Sequence, residues 1–140
     1  DLLPGVIENL TGNVLFHGIQ VKPGMPTMLS VVKGTPVLSL SGNPFAVEAL
    51  FEVLAGGYLT DMEASRYLQK NQMKILKQTF VKTGKMKRIV KGRCDESGVY
   101  LPQIQKNGQL KNGIGSNCLV IFPEGERTYT EREAVRVIRI

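Results

Sequence analysis

The sequence has no tryptophan, one histidine, two cysteines and only 6% aromatic residues. A cage or platform of stacked rings has too little material. A single histidine, His17, nearly excludes a catalytic triad or a histidine-rich metal site. It reads more simply as a strand histidine that packs or caps locally. Cys94 and Cys118 are too few for a disulfide framework and lack metal-ligand spacing. They read as buried core thiols in a reducing compartment, which makes a cytoplasmic location the default. No run of about 18 apolar residues occurs, which excludes a membrane-spanning helix. The opening Asp1-Leu2-Leu3-Pro4 has neither the basic nor the apolar part of a signal peptide. It also lacks an initiator methionine, so the sequence is expected to be cut from a longer chain.

What is present suffices for a packed core. Of 140 residues, 42% are hydrophobic and 21% charged, room for one ordinary domain or two small ones. Charge is unevenly placed. Residues 1–69 carry three basic and six acidic side chains, whereas residues 70–140 carry fifteen basic and six acidic. Lys70 to Cys94 holds nine Lys or Arg and no acid. The shift predicts two modules, 1–70 and 71–140, the second facing something anionic.

The first module reads as mixed α/β. A helix end at Val6–Leu10 is stopped by Gly12, and a β-rich strand runs from Val14 to Val21. Pro23 and Pro26 cannot continue a ladder. Strands at 27–32 and 36–40 surround the Lys33-Gly34 turn. Asn43 is a suitable helix cap and Pro44 a suitable first helical residue, opening an apolar helix that Gly56-Gly57 ends. A short amphipathic helix follows at 60–69. The second module reads as a small all-β barrel or sandwich, with strands at 75–82, 87–94, 99–105, 118–123 and 134–140. Asp95-Glu96-Ser97-Gly98 is a hairpin loop and Lys106-Asn107-Gly108 another turn.

Three motifs could carry chemistry. The strand-turn-helix around Ser41-Gly42-Asn43-Pro44 offers backbone donors and a helix dipole to an anion, or is simply a well-capped connection. Lys22-Pro23-Gly24-Met25-Pro26 is a stiff loop that could hold Lys22 in place; a lone strand-end lysine is otherwise a solvated charge. Both motifs leave strands at their C-terminal ends, where α/β sheets bind ligands. The third is the basic stretch Lys82, Lys85, Lys87, Arg88, Lys91 and Arg93, a phosphate grip or a solvated sheet face.

The order Lys22-Pro23-Gly24-x-Pro26, a strand, then Gly42-Asn43-Pro44 opening a helix, resembles the MoeA family, the molybdopterin molybdenumtransferases that include gephyrin's E domain. The tail, with Gln105-x-Asn107-Gly108-x-Leu110, Asn117, Pro123-Glu124 and Val135-x-Val137, resembles that family's C-terminal β-domain. The resemblance covers essentially the whole chain. It implies the C-terminal part of a MogA-like molybdopterin-binding α/β domain (1–70) followed by a small, barrel-like all-β domain (71–140). It also implies that the rest of the pterin-binding domain lies upstream, and that this part is inactive alone.

By the same resemblance, the enzyme inserts molybdate into adenylylated molybdopterin with release of AMP, assisted by magnesium, as a homodimer. Lys22 and Asp1 would be catalytic, Asp1 also lying near magnesium or the pterin phosphate. Gly24, Ser41, Gly42, Asn43, Pro44, Lys91 and Asn107 would line the cofactor site. The pattern departs from the family at several positions. Ser41 stands for proline, Met25 for a second lysine, Ala46 for serine, Lys91 for arginine, and Asn107 and Asn112 for serines. Lysine at 91 loses the bidentate guanidinium fork. Two alternatives remain open: a basic nucleic-acid-binding β-domain, against which the scarcity of aromatics stands, and a non-catalytic pterin-binding or scaffold paralogue.

Overall fold

The computed structural model describes residues 2–55, 70–102 and 115–140. The expected helix at 60–69, the Gly56-Gly57 stop, the turn at 106–108, Asp1 and Asn107 lie outside them.

Helix α1 (Leu3–Asn9) begins with a proline in its first turn and buries Ile7. Strands β1 (Asn13–His17), β3 (Met28–Val32) and β4 (Thr35–Ser39) form an antiparallel sheet in the order β1-β3-β4. Lys33 and Gly34 both have positive φ, 50° and 82°, the conformation of the tight hairpin turn that suits twisted strands.

The expected strand from Val14 to Val21 is instead two. Gly18 takes φ 88°, which breaks the ladder after His17. Gly18 N–H then donates to Thr27 O and Ile19 N–H to Met25 O. The chain resumes as β2 (Val21–Lys22), which leaves the first sheet and pairs in parallel with β7 (Lys87–Cys94).

Asn43 caps α2 (Pro44–Leu50), its side-chain oxygen accepting from Phe45 N–H and Ala46 N–H at 3.0 and 3.3 Å. The helix continues as a wider π turn over Phe51–Ala55.

The C-terminal half is β-rich. Its main sheet runs β2-β7-β9-β11-β5, with β8 (Val99–Tyr100) also on β7. Here β5 is Asn71–Ile75, β9 Cys118–Phe122 and β11 Ala134–Arg139. A bridge between Leu76 and Val99 joins the end of β5 to β8. That closes the sheet into a small barrel, one of the two architectures the strand pattern allows. A two-stranded ribbon, β6 (Phe80–Lys82) with β10 (Arg127–Tyr129), covers one side.

Two departures have plain causes. The expected strand 75–82 is split, because Leu76 turns to bond Glu133 O and accept from Arg132 N–H. Residues 71–74 were too polar to be read as a strand, and β10 too short. The Asp95 loop is as expected, its carboxylate accepting from the Ser97 and Gly98 N–H groups.

Strand β9 is buried at all five positions, so its two faces serve two cores. Cys118, Val120 and Phe122 join Val90, Val135, Val137 and Tyr129 inside the barrel. Leu119 and Ile121 join Ile89, Ile138, Ala49 and Leu50, with Ile19, Val21 and Phe45 packed against them. The second cluster lies between the barrel and helix α2. Residues on either side of position 70 therefore share one apolar layer.

Both cysteines are free and buried. Burial pushes the Cys118 thiol up from 9.0 to about 12, with Cys94 beside it adding to the shift. Native Cys118 therefore stays neutral where an unfolded thiol ionises. The stabilisation is complete below pH 9 and is lost as pH rises from there toward 12. A thiol reagent at pH 8 is expected to label neither cysteine in the native protein and both after denaturation; rapid native labelling of Cys118 would contradict this packing. Asn43→Ala, which removes a cap accepting two N–H groups, is expected to cost about 1 kcal/mol, and an unchanged unfolding midpoint would remove Asn43 as a cap.

Candidate functional site

The Lys22 loop is held rigidly. Gly24 has φ 109°, and a Cβ there would stand 2.1 Å from Leu50 Cδ1. Only glycine lets the loop lie against α2. Thr27 is buried, and its hydroxyl and N–H both donate to Gly24 O, at 2.7 and 3.1 Å. Lys22 itself is exposed, in register with Arg88 across the β2–β7 pair.

Beside that pair lies a half-open pocket of about 230 Å³, lined by Lys22, Thr83, Gly84, Lys85, Met86 and Arg88. The turn that forms its floor is fixed by a buried ammonium. Lys82 is only 1% exposed, and its Nζ donates to Gly84 O at 2.8 Å and to Gly125 O. Gly125 N–H donates to Lys85 O, and Gly84 N–H to Glu126 Oε1. Backbone carbonyls thus satisfy a charge that burial would otherwise penalise heavily.

The expected site residues fall into two places. Lys22 sits in the cationic pocket. Lys91 lies on the α2 side, where its Nζ pairs with Glu48 and stands 5.4 Å from the Phe45 ring centroid. The Ser41–Pro44 turn leads into that same helix. Its donors are largely engaged internally: Phe45 and Ala46 N–H on Asn43, and Asn43 N–H on Ser41 Oγ at 3.4 Å. Gly42 is exposed and open, with nothing within 4 Å of a Cβ built on it. Gly24, under Leu50, is the link between the two places. Met25 is 50% exposed and Ala46 fully buried. A serine at 46 would have its hydroxyl buried in the fold.

Sequence reasoning grouped Lys82, Lys85, Lys87, Arg88, Lys91 and Arg93 as one basic stretch. The structure sorts them: Lys82 buried, Lys85 and Arg88 in the pocket, Lys91 paired with Glu48, Lys87 and Arg93 exposed. Nothing local in the sequence signals that Lys22 joins Lys85 and Arg88. Only the parallel register does.

Among the described residues, no group of three or more His, Cys, Asp or Glu stands together. Asp1, the expected magnesium ligand, lies outside them. The described residues alone do not bring together a set of ligands for magnesium.

No family model matches the chain. A molybdopterin molybdenumtransferase of Staphylococcus aureus is 25% identical over 143 residues, covering 99% of this chain and 34% of its own. That of Bacillus subtilis is 26% identical over 149 residues, covering 100% and 34%. A crystal structure of a molybdopterin biosynthesis MoeA protein from Pyrococcus horikoshii superposes with a TM-score of 0.76 at 27% identity, covering 99% of this chain and 34% of that one. A molybdenum cofactor biosynthesis protein from Pyrococcus furiosus shares the fold, with TM-score 0.63 at 21% identity over 91% of this chain and 46% of that one.

The fold is thus that of MoeA-type proteins, α/β with a β-rich C-terminal half. The resemblance read from the motifs is borne out along the whole chain: its curated relatives are molybdopterin molybdenumtransferases. The chain spans about a third of their length. No helix among the described residues is long and apolar enough to cross a membrane.

Gly24→Ala would force a side chain into both a positive-φ backbone and the Leu50 methyl. It is expected to destabilise by about 2–4 kcal/mol, measured by denaturant unfolding; a loss below about 0.5 kcal/mol would show that the loop does not rest on α2.

Proposed function

We propose that this chain is part of a molybdenum-inserting enzyme of MoeA type, acting on adenylylated molybdopterin and molybdate. The observation that carries the reading is Lys22. It belongs to the Lys-Pro-Gly-x-Pro motif of the resemblance, precedes a loop held by the Gly24–Thr27 hydrogen bonds, and lines a cationic pocket. A chain-long likeness to molybdopterin molybdenumtransferases supports it.

The chemistry asks for positive charge held in place. Both the adenylylated pterin and molybdate are anionic, and phosphoanhydride cleavage releases AMP as a further anion. A lysine fixed before substrate arrives stabilises charge without reorganising during the reaction. Lys22 would hold an oxyanion of molybdate or phosphate. Gly42, open to solvent, would let the pterin part approach the turn, with Ser41, Asn43 and Pro44 shaping it. Because Asn43 Oδ1 is committed to the cap, its side-chain amide N–H₂ is the group available to a ligand. Lys91 would contribute less than an arginine, since Glu48 already pairs with it. Asp1, Asn107, magnesium and a homodimer belong to this reading through the resemblance, and a cytoplasmic location with reduced thiols through the two free cysteines.

The nucleic-acid alternative draws less support. Burial of Lys82 and pairing of Lys91 remove two cations from the continuous patch it needs. A scaffold paralogue would keep the fold and lack turnover.

The test is an assay of the protein, at the full length its gene encodes, with adenylylated molybdopterin, molybdate and magnesium. AMP release with formation of active cofactor is expected. No AMP from a folded protein would leave the scaffold reading. Lys22→Ala is expected to lower turnover about 100-fold or more with little change in unfolding midpoint, because the side chain is exposed; undiminished turnover would remove Lys22 from the site.

A further inference from the structure

The geometry points to a tetrahedral-oxyanion site in which Lys85 and Arg88 act together with Lys22, holding a phosphate-type group. It rests on the reading of Lys22 as an anion donor and extends it to two residues on the other side of the β2–β7 pair.

Three observations converge. First, three cations, Lys22, Lys85 and Arg88, line one pocket, with the Thr83 hydroxyl as an added donor. No described carboxylate pairs with any of the three: the described ion pairs are Lys70–Glu52, Lys91–Glu48 and Arg127–Glu133. Like charges this close repel, and an arrangement without a counter-ion is relieved by a bound anion. Second, the pocket is pre-organised. Buried Lys82 ties Gly84 to Gly125, Glu126 holds Gly84 N–H, and Gly125 N–H holds Lys85 O. Glu126, the nearby acid, already directs one oxygen at that amide. Third, size selects the ligand. About 230 Å³ lies below the ~300–1,000 Å³ of pockets that enclose drug-sized molecules. That is room for a phosphate group with some of its water, and a nucleoside or pterin would extend beyond it.

Arg88 is the centre of the site. It is half-buried and in register with Lys22, and its planar fork matches two oxygens of a tetrahedral anion. Lys22 and Lys85, more exposed, supply charge from the rim.

The test is titration of the protein with inorganic phosphate and, separately, molybdate. NMR or calorimetry at constant ionic strength would read the binding, with chloride as control. Saturable binding of at least one anion is expected. Arg88→Ala and Lys85→Ala are each expected to weaken it at least fivefold, and Arg88→Lys to fall between, keeping charge but losing the fork. Lys33→Ala, on the distant β3–β4 turn, should change nothing. Tighter phosphate would identify a phosphate ester or anhydride as the ligand, and tighter molybdate the metal oxyanion; either supports the site. No saturable binding by the folded protein would overturn it, as would variants at 85 and 88 that bind like wild type with unchanged spectra elsewhere. The two readings fail separately: anion binding without AMP release removes the catalysis and keeps the site, whereas AMP release undiminished by Arg88→Ala removes the site and keeps the catalysis.

Discussion

The apolar layer between helix α2 and the barrel is the interaction on which the rest depends. Strand β2 meets β7 over only two register pairs, Val21 with Lys87 and Lys22 with Arg88. Backbone hydrogen bonds contribute roughly 1 kcal/mol each net, too little to place a strand. Burial of a Leu or Ile side chain contributes about 1.5–3 kcal/mol. Leu50, Ile89, Leu119, Ile121 and Ile138 are all buried in this one layer. The layer seats α2 on the sheet, Gly24 seats the loop on α2, and the loop delivers Lys22 to the β7 edge. The cationic pocket follows from packing that is not itself polar.

Electrostatics are arranged around that packing by separating the basic residues rather than pooling them. Lys82 is withdrawn into the fold and satisfied by carbonyls. Lys91 is quenched by Glu48, an acid from the first half of the sequence. At the β2–β7 seam, Lys22, Lys85 and Arg88 line one pocket with no carboxylate paired to any of them among the described residues. The +6 net charge of the chain thus says little about a partner. The placement of three side chains says more.

Local signals were legible wherever one residue type has one geometric consequence. Asn43-Pro44 opens a helix with the expected cap. Lys33-Gly34 makes the expected tight turn, and Lys87–Cys94 is a strand over the expected residues. That the C-terminal half is built of short strands was readable from their spacing, which left barrel and sandwich both open. What was not legible is non-local. Gly18 breaks a β-rich, partly alternating stretch, where its N–H and that of Ile19 bond to Thr27 and Met25 further along. Lys82 reads as a surface charge, and only the fold supplies the two carbonyls that bury it. The Lys22 loop stood out in the sequence for its prolines and glycine, and Lys85 and Arg88 as part of a basic stretch, yet nothing in the sequence put the two side by side. A two-residue parallel pairing leaves no pattern in either strand.

If one apolar layer joins the N-terminal segment to the barrel, the two should unfold together. Methyl NMR of Leu50 and Val120 through a urea titration measures this directly, since Leu50 reports the α2 layer and Val120 the barrel interior. Coincident midpoints are predicted. A Leu50 signal that melts at clearly lower urea than Val120 would mean that α2 and the Lys22 loop are docked weakly, and that the cationic pocket is not a built feature of the fold.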